Sequence, residues 1–124
     1  ETEAVVNQLM YYFPKHLNSD FIAFLAEKDG QVVSTVYMAV AEKPANPAFI
    51  TGKTATILNV FTYPEYRRKG IATKLLTMMI NKAKAMNISY LELSATESGR
   101  LLYEKLGFVR KQSSKYTEMR LELL

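Results

Sequence analysis

Apolar side chains return along this chain with two different periods, and the switches between the two mark its elements. Over residues 3–17, Val5, Val6, Leu9, Met10, Phe13 and Leu17 recur at the spacing of one helix face, with Pro14 set to disturb the last turn. Residues 21–27 read as a strand, Asp29-Gly30 as a hairpin turn, and residues 32–41 as the antiparallel partner. Pro44, Asn46, Pro47 and Gly52 make 42–52 a long loop, after which 55–63 resumes the strand pattern. From 70 to 86, Ile71, Ala72, Leu75, Leu76, Met79, Ile80, Ala83 and Met86 fall on one helix face, while Lys74, Thr77, Asn81, Lys82 and Lys84 fall on the other. A strand over 88–95, a short helix over 98–106 closed by Gly107, and a last hairpin of 108–111 with 116–123 complete the pattern.

That order predicts an α/β (α+β) fold. The strand, long helix and strand between residues 55 and 95 form a crossover unit, so this central pair is predicted parallel within a mixed, otherwise mostly antiparallel sheet flanked by helices. A chain of 124 residues can bury one core, and no repeat or linker divides it, so a single domain over 1–124 is expected. No apolar run approaches the roughly 20 residues of a membrane span, which argues against a membrane partner. No export signal is visible, and a cytoplasmic location is the default expectation. Without cysteine the chain has no disulfide, no thiolate metal site and no thiol nucleophile, and no metal is expected.

The net charge of +4 asks for an anionic partner. The cations form no long stripe, which argues against nucleic acid, but Arg67, Arg68 and Lys69 crowd together just before the helix that begins near Gly70. A helix N-terminus is electropositive and ordinarily attracts acids. Three cations there repel the helix and one another, and a phosphate among them would resolve the conflict. Gly70 removes the Cβ that would block close approach, Ala72 keeps the first turn small, and amide N–H groups of that turn are left to bond phosphate oxygens. A solvated basic turn is the competing reading. A nucleotide P-loop is excluded, since its Gly-Lys-Ser/Thr ending is absent.

The stretch Thr62-Tyr63-Pro64-Glu65-Tyr66-Arg67-Arg68-Lys69-Gly70-Ile71-Ala72, followed by Leu75-Leu76, closely resembles the acetyl-CoA signature of the GNAT superfamily, with Arg67, Gly70 and Ala72 in its fixed places. Downstream, Leu102-Tyr103-Glu104-Lys105-Leu106-Gly107-Phe108 resembles the segment that leads from the family's last helix into the next strand. The element order is similar from residue 3 onward. The family's first strand and first helix have no counterpart in the sequence, so the domain is expected to be N-terminally incomplete.

The resemblance implies an N-acetyltransferase with acetyl-CoA as cosubstrate and an amine acceptor, a small molecule in the first instance, or else a protein lysine or N-terminus. It implies that main-chain groups of Val60, Phe61 and Thr62 pair with the pantetheine arm, and that the pyrophosphate lies on Arg68, Lys69, Gly70, Ile71, Ala72 and Thr73 beside Arg67. It also leaves a homodimer open. Where the family often carries Asn and Ala ahead of its tyrosine, this chain has Thr96 and Gly99, and Thr96 retains a hydroxyl for the cofactor. The implied reaction is direct attack by the amine on the thioester. A backbone N–H near Phe61 would stabilise the oxyanion, and Tyr103 would protonate the departing thiolate as general acid.

The base is not legible. Where some relatives place an acid on the strand, this chain has Asn59, which orients a water or substrate or else serves the strand itself. Glu92, Glu97 and Glu118 are remote acids or plain surface charge, and His16 suits a helix end as a solvated cation. Tyr11, Tyr12, Phe13, Tyr37 and Phe49 line an acceptor pocket or belong to the core. The missing base also leaves room for a module that senses acyl-CoA without turnover.

Overall fold

The computed structural model describes residues 1–111 and 115–124. They divide into two compact units, Glu1–Ser94 and Ala95–Leu124.

The first unit opens with helix α1, Thr2–His16, which stops two residues after Pro14. Strands β1 (Phe21–Lys28), β2 (Gln31–Glu42) and β3 (Lys53–Thr62) follow, then a 3₁₀ turn at Pro64–Tyr66, helix α2 (Ile71–Ala85) and strand β4 (Leu91–Glu92). The sheet runs β1-β2-β3-β4, antiparallel at the first two junctions and parallel at the last. The parallel pair expected across the long helix is therefore present. It lies at one edge of the sheet, because among the described residues no further strand forms beyond β4.

Local chemistry accounts for these boundaries. Asp29 and Gly30 both take positive φ, 53° and 77°, as a two-residue hairpin of matching twist requires. In the 43–52 loop the Asn46 side chain accepts the Ala48 N–H at 2.8 Å, and Gly52 has φ 78° with room for no Cβ, which would stand 2.6 Å from the Lys43 carbonyl. The core lies between α2 and the sheet. Ile22, Met38 and Ile57 align across three strands, and Leu75, Leu76, Met79 and Ala83 are the buried residues of α2, which packs over β2. Leu76 is fully buried. Leu76→Ala is expected to destabilise the unit by about 2–5 kcal/mol, the usual cost of lost burial plus a cavity, as read from denaturant midpoints.

Two expectations on the strands need correction. The strand read over 88–95 is reduced to Leu91–Glu92, paired with Ala55 and Thr56. Ile88 serves the end of α2 instead, its N–H reaching the Ala83 carbonyl at 3.1 Å behind a left-handed Asn87, while the Ser89 N–H and the Tyr90 carbonyl already bond to Lys53 and Ala55 of β3. Among the described residues the final hairpin is also not formed. Residues 108–111 and 116–123 are irregular, and its expected turn falls on residues 112–114, outside the described residues. Val109, Met119 and Leu121 are 86%, 91% and 80% exposed. A two-stranded ribbon whose apolar side chains gain no cover has little to hold it together.

α1 keeps its predicted helical form, yet among the described residues none of its side chains is buried. What anchors it is a set of rings: Tyr12 and Phe13 stand 5.9 and 5.3 Å from Phe21, which is 5.5 Å from Tyr37. Among the described residues no helix is long and apolar enough to cross a membrane.

The second unit is built on helix α3, Arg100–Lys105. Its C-terminus closes as the glycine predicted. Gly107 has φ 101°, its N–H bonds the Glu104 carbonyl, and the Phe108 N–H reaches back to the Tyr103 carbonyl at 3.0 Å.

Candidate active site

In β3 the register slips. Tyr37 pairs with Leu58 but Thr35 pairs with Phe61, so Asn59 and Val60 together oppose Val36 alone. This is a β-bulge whose first residue, Asn59, sits in the left-handed region at φ 49°, a conformation asparagine tolerates better than most residues. Because β4 pairs only with Ala55 and Thr56, among the described residues no strand runs along the outer edge of 57–62. Leu58 and Phe61 are open to solvent there, 39% and 43% exposed. The bulge escaped sequence reasoning, which saw Asn59 only as a polar side chain. The available signal was a neutral amide at a strand position flanked by apolar residues, a common way to admit positive φ.

That edge leads into the basic loop. Arg68 and Gly70 are both left-handed, at φ 63° and 79°, and Gly70 is the N-cap of α2. A non-glycine residue such as Arg68 at positive φ is uncommon, and alternation of hand along a turn gathers successive N–H groups on one side. The first helical hydrogen bond of α2 runs from the Lys74 N–H to the Gly70 carbonyl, no side chain caps the helix, and its first turn holds no acid. The N–H groups of Ile71, Ala72 and Thr73 thus have no partner within the helix. A Cβ built on Gly70 meets no described atom within 4 Å, so the space over the loop is open.

The three cations are not equivalent. The Arg67 Nε donates to the Thr62 carbonyl at 2.8 Å, with its guanidinium 5.9 Å from the Phe61 ring centre, so this residue braces the end of β3. The Lys69 ammonium stands over the Tyr66 ring at 5.6 Å, and Arg68 is exposed.

In the second unit, the Thr96 hydroxyl oxygen accepts the Gly99 N–H at 3.2 Å, which ties down the start of α3. Arg100 bridges Glu97 and Glu104, each at 2.9 Å, and hydrogen bonds to Glu97 and then Glu104 raise its pKa further. Tyr103 lies between this turn and Phe108, whose ring centre is 6.0 Å away. A Cβ on Gly99 would stand 3.3 Å from the Tyr103 ring, so glycine there leaves room for the phenol. Burial holds that phenol above the usual tyrosine range.

The structure gives several other candidates local roles. His16 Nδ1 is 2.6 Å from Asp20, and its ring stacks on Tyr12 at 4.1 Å, which joins the end of α1 to β1. Burial, and then the Asp20 charge, raises the Tyr12 phenol. Glu97 is engaged by Arg100, and Glu118 falls in the irregular C-terminal stretch. Phe13 and Tyr37 belong to the ring cluster around Phe21, Tyr11 holds the Lys15 ammonium, and Phe49 meets Tyr90 at 6.5 Å.

A mixed sheet with one parallel junction and a helix that starts on a left-handed basic loop fit the fold that the GNAT resemblance implies. Comparison with known proteins agrees: the acetyltransferase (GNAT) family profile matches residues 2–108. This chain belongs to that family. A predicted acetyltransferase from Clostridium acetobutylicum, solved with acetyl-CoA, is 32% identical with a TM-score of 0.78 over 92% of this chain and 73% of its own. A ribosomal-protein-alanine N-acetyltransferase from Brucella melitensis superposes with a TM-score of 0.63 at 25% identity over 89% of this chain and 79% of its own. In sequence, the [ribosomal protein bS18]-alanine N-acetyltransferase of Haemophilus ducreyi is 39% identical over 57 residues, 44% of this chain. The match spans 39% of that relative's length.

Proposed function

We propose that the chain is an N-acetyltransferase that moves the acetyl group of acetyl-CoA onto a primary amine by direct attack, with both substrates held at once. The observation that carries this reading is the unpaired β3 edge running into an acid-free, left-handed loop at the head of α2. A long thioester arm with a diphosphate at its far end matches that sequence of features. The acetyl-CoA in the Clostridium relative supports the same cosubstrate. Because the family match crosses the boundary between the two units, we take residues 1–124 as parts of one acetyltransferase domain.

Each residue then has a task. Main-chain groups of Val60, Phe61 and Thr62 receive the pantetheine arm, as an added strand would be received. The N–H groups of Ile71, Ala72 and Thr73 hold the pyrophosphate, with Arg68 and Lys69 adding charge and Gly70 keeping the cradle open. Arg67 acts from behind, through Thr62. Asn59 supplies the bulge through its backbone, and its exposed amide is left to orient acceptor or water. Thr96 offers its hydroxyl to the cofactor. Tyr103 carries the proton for the departing sulfur, and a phenol held above its usual range is fully protonated at neutral pH. The acceptor amine must shed a proton, since a lysine-like amine has a pKa of about 10.4.

The acceptor is a small primary amine or a protein α-amine, and the Haemophilus relative favours the second. Incubation with labelled acetyl-CoA, free amines, lysine peptides and peptides beginning with alanine tests the proposal. Transfer to one class supports the reading and names its acceptor. Tight coenzyme A binding with no transfer to any of them replaces the enzyme by a binding module.

A further inference from the structure

Two adjacent hydroxyls on β2 grip the bulge from opposite faces of the sheet. The Ser34 hydroxyl is completely buried, donates to the Phe61 carbonyl at 3.0 Å, and stands 2.8 Å from the Thr62 hydroxyl. With one proton to give, Ser34 donates to Phe61 and accepts from Thr62. The Thr35 hydroxyl donates to the Asn59 carbonyl at 2.8 Å. Successive strand side chains point to opposite faces, so Ser34 lies on the face of Val36 and Met38 and Thr35 on that of Tyr37. A serine in a buried apolar row is costly unless it is bonded, and this one is bonded only to the bulged segment.

The consequence lies in the peptide planes. All described peptide bonds are trans, and in a trans peptide the C=O and the following N–H point opposite ways. An Asn59 carbonyl held toward β2 by Thr35 turns the Val60 N–H outward. A Phe61 carbonyl held toward β2 by Ser34 does the same for the Thr62 N–H. Both donors are thereby aimed at the edge that β4 leaves unpaired. Without the clasp, the Asn59–Val60 peptide, already outside the regular ladder, is free to rotate.

We propose that Thr35 and Ser34 are positioning residues for acyl transfer, which act by fixing the outward direction of the Val60 and Thr62 N–H groups. This role rests on the acetyltransferase reading above. The Val60 donor, next to the bulge, is assigned to the acetyl carbonyl oxygen as negative charge develops there. The Thr62 donor, nearer the loop, is assigned to the arm.

The two hydroxyls should therefore fail differently. Thr35→Val keeps shape and removes the donor, and is expected to lower kcat about tenfold, a fraction of the loss seen when an oxyanion donor is removed outright, with KM for acetyl-CoA within about twofold. Thr35→Ser restores the hydroxyl and is expected to recover most of that kcat. Ser34→Ala is expected to raise KM for acetyl-CoA about fivefold with a smaller change in kcat. Amide NMR of the free protein adds an independent readout: the Val60 N–H resonance should move in Thr35→Val and return in Thr35→Ser. Thr35 is only half-buried, and Thr35→Ala serves as a second donor-free variant if Val folds poorly. Full kcat in a folded donor-free variant, or equal loss in Thr35→Ser, overturns the positioning role and leaves the transferase intact. No transfer by the unaltered chain overturns the functional reading, and the role with it.

Discussion

Gly70→Val is expected to lower coenzyme A affinity by at least about 100-fold in calorimetry while leaving most of the fold in place. Two effects add. Gly70 has φ 79°, and a β-branched residue forced into that region costs about 1–3 kcal/mol, which the chain relieves by shifting the loop. The new side chain would also project into space that is empty of described protein atoms, where the phosphates are assigned. Since the protein itself has room for a Cβ there, a binding loss exceeding the stability loss would point to a ligand over the loop. Similar affinity in the variant would remove the phosphate assignment.

Tyr103→Phe is expected to reduce kcat by about 10²–10⁴ with coenzyme A affinity within about twofold, the range for loss of a positioned proton donor. Its structural cost should be small, because the helix end is closed by backbone bonds to Gly107 and Phe108 and the ring contact with Phe108 survives. The pH profile sharpens the test. Burial raises this phenol above the ordinary tyrosine value, so it stays protonated through the neutral range. Any stability tied to the neutral phenol is present below that value and lost as pH rises through the raised one. A wild-type alkaline limb assigned to Tyr103 at pH 8 would contradict the role, as would full turnover in the phenylalanine variant.

Much of the scaffold was legible because its signals are local. Asp29-Gly30 and Gly107 each announce a positive φ that the backbone adopts, and the apolar face of 70–86 has the period of the helix that buries Leu75, Leu76, Met79 and Ala83. What escaped was decided by bonding partners that neither the apolar period nor a motif announces. Ile88 looks like strand, but its N–H goes to the Ala83 carbonyl at the end of α2, and bonding to β3 begins only with Ser89, whose N–H reaches the Lys53 carbonyl. The Asn59 and Phe61 carbonyls of the bulged segment are bonded by the hydroxyls of Thr35 and Ser34, 24 and 27 residues away respectively, and no short window along the chain joins them. Arg67 is singled out by its place in the signature, and the bond of its Nε to the Thr62 carbonyl is a structural tie that the motif does not announce. Tyr103 could be singled out from its motif, whereas its dependence on the small Gly99 appears only once the ring is placed.

The central claim is that one continuous track, from the β3 edge to the first turn of α2, receives the arm and diphosphate of coenzyme A. Titration of isotopically labelled protein with coenzyme A, followed through its amide N–H resonances, addresses it directly. The account predicts saturable shifts at Val60, Thr62 and Gly70 through Thr73, with β1 largely unmoved. Binding that shifts amides elsewhere while those groups stay put would contradict it.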